Sequence, residues 1–131
     1  MSAKSVLLAQ FDLHNKLFNN AVDQLSDDES NTIVAAPMNN IKWLAGHLLG
    51  CQTHFGRLAG VSVDFPWADH FPLGPGAPKA DAPQSAFPDL HQIVSKWNEF
   101  HPILRNGLSQ IPDEALEQKI ESKHPLYQFN D

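Results

Sequence analysis

The chain predicts an all-α fold, a single up-down helical bundle. Two observations carry this. Apolar residues recur at alternating spacings of three and four through three separate stretches, the mark of helices that each offer one greasy face. No stretch alternates apolar and polar residues in the manner of a half-buried strand, and half of the prolines lie in the segment between the second and third helical stretches.

The first stretch covers about residues 3–25. Leu7, Phe11, His14, Phe18, Ala21 and Leu25 lie on one helical face, widened by Val6, Leu13 and Leu17, while Lys4, Asp12, Lys16 and Asn20 fall on the wet side. The acidic run Ser26-Asp27-Asp28-Glu29-Ser30-Asn31 ends it, having turn formers and no apolar residue.

A second helix begins after Pro37 and covers about residues 39–59. Asn39 or Asn40 suits the N-cap, since an Asn side chain can accept a bond from an unpaired first-turn amide. Ile41, Leu44, Leu48, Cys51, Phe55 and Leu58 form its inner stripe, and Gly60 suits a C-terminal stop.

Between residues 60 and 87 the composition changes. Pro66, Pro72, Pro75, Pro78 and Pro83, with Gly74 and Gly76, exclude a long helix or a central strand. Phe65, Trp67, Phe71 and Leu73 are too apolar for a free linker, so an ordered crossing that lays aromatic rings over the bundle is expected.

The third helix covers about residues 88–109, with Pro88 at its first position and Leu90, Val94, Trp97, His101, Leu104 and Leu108 on its inner stripe. Pro102 lies within that pattern and predicts a kink near Phe100 or His101. A short helical turn follows from Ile111-Pro112-Asp113-Glu114, then an irregular tail from Lys119. Three helices with wide apolar faces need a further element to close the core.

At 131 residues the chain forms one domain, residues 1–131, and its 42% hydrophobic content is that of a globular protein. The net charge of −6 and the scattering of its nine Lys and Arg argue against a nucleic-acid partner. One cysteine, Cys51, closes no intrachain disulfide. The only apolar run near the start, Val6 to Ala9, is too short for a signal peptide, and no stretch is long enough to span a membrane, so a cytoplasmic location is the expectation.

Chemistry in such a chain would reside in its histidines. His14, His47 and His101 lie at or beside the inner stripe of three different helices, and imidazoles converging from facing helices can bind a divalent metal. His54 follows His47 by seven residues with Cys51 between them, and a Cys and a His one turn apart can chelate. The bland alternative is that each ring is a core histidine with satisfied nitrogens and Cys51 a small core residue. His70, His91 and His124 occupy loop or outward positions. Trp43, Trp67 and Trp97 read as core and lid. The carboxylates cluster at Asp27-Asp28-Glu29 and from Asp113 to Glu121, none paired where an acid and a base could flank a substrate, and there is no phosphate-cradling loop or nucleophile elbow.

The segment Asn40-Ile41-Lys42-Trp43-Leu44-Ala45-Gly46-His47-Leu48 resembles the second-helix motif of the DinB-like superfamily, in which Asn or Ser, Ile, Trp and a Gly-His pair follow in that order. The plan of amphipathic helix, His-bearing helix, long crossing and third helix is also similar. The resemblance spans most of the chain and is sharp over these nine residues. It implies a four-helix bundle holding one divalent metal, zinc or nickel, through three histidines. His47 matches the first ligand, and the other two form an HxxxH pair on the last helix. It further implies a thiol S-transferase or isomerase acting with a low-molecular-weight thiol, in which the metal would hold the thiolate as nucleophile.

This sequence contains no HxxxH, and His124 is followed by Pro125, which disfavours a helix there. The expectation is therefore an incomplete metal site. His47 is its ligand, His14, His54 and His101 are substitute ligands, and the last helix is either cut off or supplied by a second copy in a homodimer. The competing expectation is a non-catalytic interaction or small-ligand-binding bundle with structural histidines.

Overall fold

The computed structural model describes residues 2–36, 38–72 and 87–118. They form helix α1 (Ala3–Val22), a single helical turn α2 (Asp27–Ser30), helix α3 (Ile41–Leu58), helix α4 (Leu90–Gln110) and a 3-10 turn (Asp113–Glu117), with no strand among them.

Local chemistry sets each boundary. α1 starts at Ser2, whose hydroxyl accepts from the Ser5 amide, and ends three residues short of Leu25. It ends there because Gln24 takes a left-handed φ of 62° and folds the Leu25 amide back onto the Val22 carbonyl. Ser26 then opens α2 with a reciprocal capping box: its hydroxyl accepts from the Glu29 amide, and the Glu29 carboxylate accepts from the Ser26 amide. The acidic run is thus a helical turn as well as a stop.

Of the two candidate caps of α3, Asn40 does the capping, with its Oδ1 2.8 Å from the Trp43 amide. At the other end Gly60 adopts a φ of 81°, the Val61 amide reaches the Gly56 carbonyl and the Gly60 amide reaches that of Arg57. This is the double bond of a Schellman stop, which favours glycine at that position. α4 is capped by Asp89 in a second capping box with Gln92, so Pro88 precedes the cap instead of opening the helix. α4 continues through Pro102 without a break in its helical span.

α4 is the central helix and packs on both α1 and α3. Lys4 bonds the Ile111 carbonyl while Asn19 pairs with Asn98, so α1 and α4 are antiparallel. Asp27 joins Lys42 at the start of α3 to Leu90 at the start of α4, and Gly56 faces Leu104 further along both, so α3 and α4 run parallel. The up-down order is therefore up, down, down. Parallel neighbours require a connection that returns to the starting end, which is what the long crossing between them supplies. Phe65 and Phe71 of that crossing are buried and stacked on each other, and Phe71 meets Phe87. Leu73, Gly74, Pro75, Gly76, Pro78 and Pro83 lie outside the described residues, as do Pro37, His124 and the tail.

The packing of α3 corrects the reading of its inner stripe. Ile41, Leu44, Leu48, Phe55 and Leu58 are exposed, and Cys51 is half-buried. The face in the core is the other one, Trp43, Ala45, Gly46, Leu49, Gly50, Thr53 and Gly56. Its small residues are the reason: the Phe71 ring lies against Gly46, Phe65 against Gly50 and Leu104 against Gly56, at separations that leave no room for a Cβ at Gly46 or Gly56. α3 thus has two apolar faces, one filled by α4 and the crossing, the other open.

Candidate functional site

The open face of α3 and the facing side of α1 enclose a groove of about 620 Å³, lined by His14, Leu17, Ala21, Ile41, Leu44 and Leu48 and floored by Phe18 and Trp97. Trp97 stays rigid there because Phe18 stacks on it at 3.9 Å and its indole N–H donates to Asn15 Oδ1 at 2.8 Å.

Beside this open face, on α3, stand Trp43, His47 and Cys51. They are spaced four residues apart, so they form a column along one side of the helix. The Trp43 and His47 rings are stacked with centroids 4.9 Å apart and planes within 11°. His47 Nε2 lies 3.6 Å from Cys51 Sγ. Burial raises the Cys51 thiol above its ordinary range. His47 Nδ1 is buried with no hydrogen-bond partner among the described residues, like the Trp43 indole nitrogen above it.

The other candidate histidines are placed differently. His14 is exposed and lines the groove. His54 is half-buried with its ring edge-on to Phe55 at 5.9 Å. His101 belongs to the α1–α4 interface: its ring stacks on Phe11 at 4.7 Å and its Nε2 lies 3.3 Å from Asp12 Oδ1, where Arg105 also holds Asp12 with two bonds of 2.7 and 2.9 Å. Burial lowers the His101 pKa more than the Asp12 carboxylate raises it. Arg105 holds the Asp12 carboxyl below the usual carboxylate range.

Of the sequence candidates, then, the structure brings His47 and Cys51 together. Among the described residues no three His, Cys, Asp or Glu side chains gather as a ligand set. Periodicity identified the column's histidine and its cysteine; the role of Trp43 as the plate against which His47 is held was not legible, because a tryptophan on a helix reads first as core. The ion pair of Lys42 with Asp27, 2.8 Å apart with Lys42 buried, was also missed, since spacing along the chain gives no sign of a partner fifteen residues away.

A family model described as the DinB superfamily matches residues 10–130. No curated protein and no solved structure matches the chain. No helix among the described residues is long and apolar enough to cross a membrane.

Proposed function

The chain belongs to the DinB superfamily, and from that membership we propose that it is a metal-dependent protein of the thiol-transferase type, with His47 as a metal ligand on α3. The observation that supports this most is the state of His47: half-buried, held flat by Trp43, beside a thiol and at the edge of an open apolar face. A ring so held presents Nε2 in one direction, which is what a ligand position needs.

The donor set fits a divalent ion in part. His47 Nε2 and Cys51 Sγ are soft-to-borderline donors on one side of one helix, suited to zinc or nickel more than to magnesium or calcium. A bound cation would lower the pKa of a low-molecular-weight thiol and stabilise it as thiolate. The apolar wall of Leu44 and Leu48 next to the column would exclude water and hold the apolar part of an electrophile. His101, committed to Asp12 and Phe11, serves the helix interface in this reading.

Metal analysis of the purified protein tests it, with His47→Ala and His101→Ala alongside. Zinc or nickel near one per chain in the wild type and in His101→Ala, absent from His47→Ala, is the expected result. Wild-type protein that takes up no metal when supplied with zinc or nickel would sink the reading.

One observation favours a second reading. The groove between α1 and α3 is apolar almost throughout, and such a groove suits a binding bundle that takes an apolar small molecule or a second copy of the chain without catalysis.

A further inference from the structure

The open face of α3 follows a stricter rule than amphipathicity. Ile41, Leu44, Leu48, Cys51, Phe55 and Leu58 are separated by three, four, three, four and three residues, so they hold the a and d positions of successive heptads along the whole helix. A face packed on a globular core is wider and drifts with the 3.6 period, whereas a 3.5 repeat is the seam of a helix that pairs with another helix. The five large residues of this seam are exposed and Cys51 is half-buried, while Leu104 of α4 and Phe71 of the crossing pack on the other face.

The positions flanking the seam are Ala45 and Gln52 on one edge and His47 and His54 on the other. None is a lysine, arginine or carboxylate, and α3 contains no carboxylate at all, so no fixed like charges would face each other across two copies of it. The flanking charges by which a coiled coil selects an unlike partner are missing as well. In an antiparallel pair each a residue meets a d residue, giving layers of Ile41 with Leu58, Leu44 with Phe55 and Leu48 with Cys51, each formed twice about a two-fold axis. A parallel pair would instead set Phe55 on Phe55 and Cys51 on Cys51, one layer overfilled and the next underfilled, and would align the two helix dipoles in the same direction. Antiparallel pairing also puts Ala45, which lines the α1–α3 groove, on the same side in both copies, so the two grooves open together.

We propose that a second copy of this chain docks on α3 through its own α3, as an antiparallel coiled-coil pair in that register. The pairing rests on the reading of the open face as one that takes a second copy, and it needs no metal at His47. With the groove included, each chain would bury on the order of 500 Å², roughly 1,000 Å² in all, which is where specific interfaces begin.

Cysteine pairs read the register directly. Ile41→Cys and Leu58→Cys, introduced together with Cys51→Ala, stand about 25 Å apart on one helix and cannot join within a chain. Across the proposed pair each meets the other within disulfide reach. Mild oxidation should therefore make a covalent dimer, twice the chain mass of 14.6 kDa, the main species on a non-reducing gel. Either cysteine alone, also with Cys51→Ala, should give no cross-link, and an equilibrated mixture of the two single variants should give one. Circular dichroism confirms that each variant is folded, and sedimentation reports whether it pairs. A double variant that loses a dimer the wild type forms, with helicity unchanged, places the seam in the interface, and Leu44→Cys with Phe55→Cys then reads the register. Cross-linking of Ile41→Cys alone overturns the antiparallel arrangement. Double variants that sediment as dimers yet form no covalent species overturn α3 as the seam and leave a second copy docked elsewhere. A monomeric wild type overturns both the pairing and the second-copy reading on which it rests.

Discussion

Lys42 and Asp27 show at the level of single residues how the bundle is tied together. Lys42 is 3% exposed, and among the described residues its ammonium meets one counter-charge, the Asp27 carboxylate, which also accepts from the Leu90 amide at 2.8 Å. Burial works to raise the Asp27 pKa, but the bonds from Lys42 and the Leu90 amide outweigh it and hold the carboxyl below its ordinary range. Removing the two partners should therefore have unequal effects. Asp27→Ala strands a buried cation and should cost about 2–4 kcal/mol, whereas Lys42→Met replaces it with an apolar chain of similar length and should cost about 1 kcal/mol or less. Urea unfolding of both variants measures the asymmetry, and equal losses would refute it. Gly46 gives a second case. Alanine there gains helix propensity, worth about 1 kcal/mol, but drives its Cβ into the Phe71 ring. Overpacking wins, and Gly46→Ala should lose a net 1–2 kcal/mol or so. Gly50→Ala, whose Cβ would stand 3.2 Å from a Phe65 ring carbon, should stay within about 0.5 kcal/mol of wild type, as the ring edge can give. The glycine before His47 thus has a packing reason independent of any metal.

Between elements, the α1–α4 interface is a polar and aromatic ladder. Asp12 meets Arg105 and His101, Asn15 meets Trp97, Asn19 meets Asn98, and Phe11 and Phe18 stack between these pairs. His101 gives this interface a pH dependence. Its folded pKa is lowered, so the native state holds fewer protons than the unfolded chain. The stability it contributes is complete above the unfolded value of about 6.5 and is lost as pH falls through that value toward the folded one. The carboxyls of Asp12, Asp27 and Glu29 are also lowered, and their contributions are lost only in the more acidic carboxylate range. His101→Phe keeps a ring against Phe11 and removes the higher window alone. Thermal melts from about pH 7.5 to about 5.5 (a range about one unit either side of the ordinary histidine value) should fall more steeply for the wild type than for the variant. How far such elements were legible differs by helix. On α4 the stripe was read in part: Leu90, Trp97 and Leu104 are buried as expected, while Ile93 and Phe100, also buried, were not counted in it. On α3 periodicity found the larger apolar face and missed the packed one, because Gly46, Gly50 and Gly56 have no hydrophobic side chain to count, although their smallness is what lets two neighbours approach. The His47–Cys51 pair was legible as a spacing; its distance and the Trp43 stack needed coordinates.

For the whole molecule the consequence is an apolar face that the described residues leave uncovered. Leu17 is 53% exposed, Leu48 49% and Phe55 51%. α3 has 18 residues and is about 27 Å long, so with α1 beside it, at roughly 10 Å per helix, the face is on the order of 500 Å². That is toward the upper end of the largest apolar patch a monomer leaves, about 300–600 Å², and such patches are often binding faces. α3 carries no carboxylate, and its two cations are Lys42, spent on Asp27, and Arg57 near its end. Two such faces can therefore approach each other without like charges meeting at their centre, although the chain as a whole carries −6. A homodimer closed across the α1–α3 groove is the expected solution state. Sedimentation of the wild type should give twice the chain mass of 14.6 kDa. Leu48→Glu should give the single mass with unchanged helicity, because Leu48 lines the groove and takes no part in the α3–α4 core. If the wild type sediments as a monomer, or if Leu48→Glu remains dimeric, the groove is not the dimer interface. A monomer that binds apolar fluorescent probes, and loses them in Leu48→Glu, would instead assign the groove to a small ligand. Metal content should be unchanged in Leu48→Glu if one chain holds the ion at His47, and should be lost with the dimer if the second copy supplies a donor.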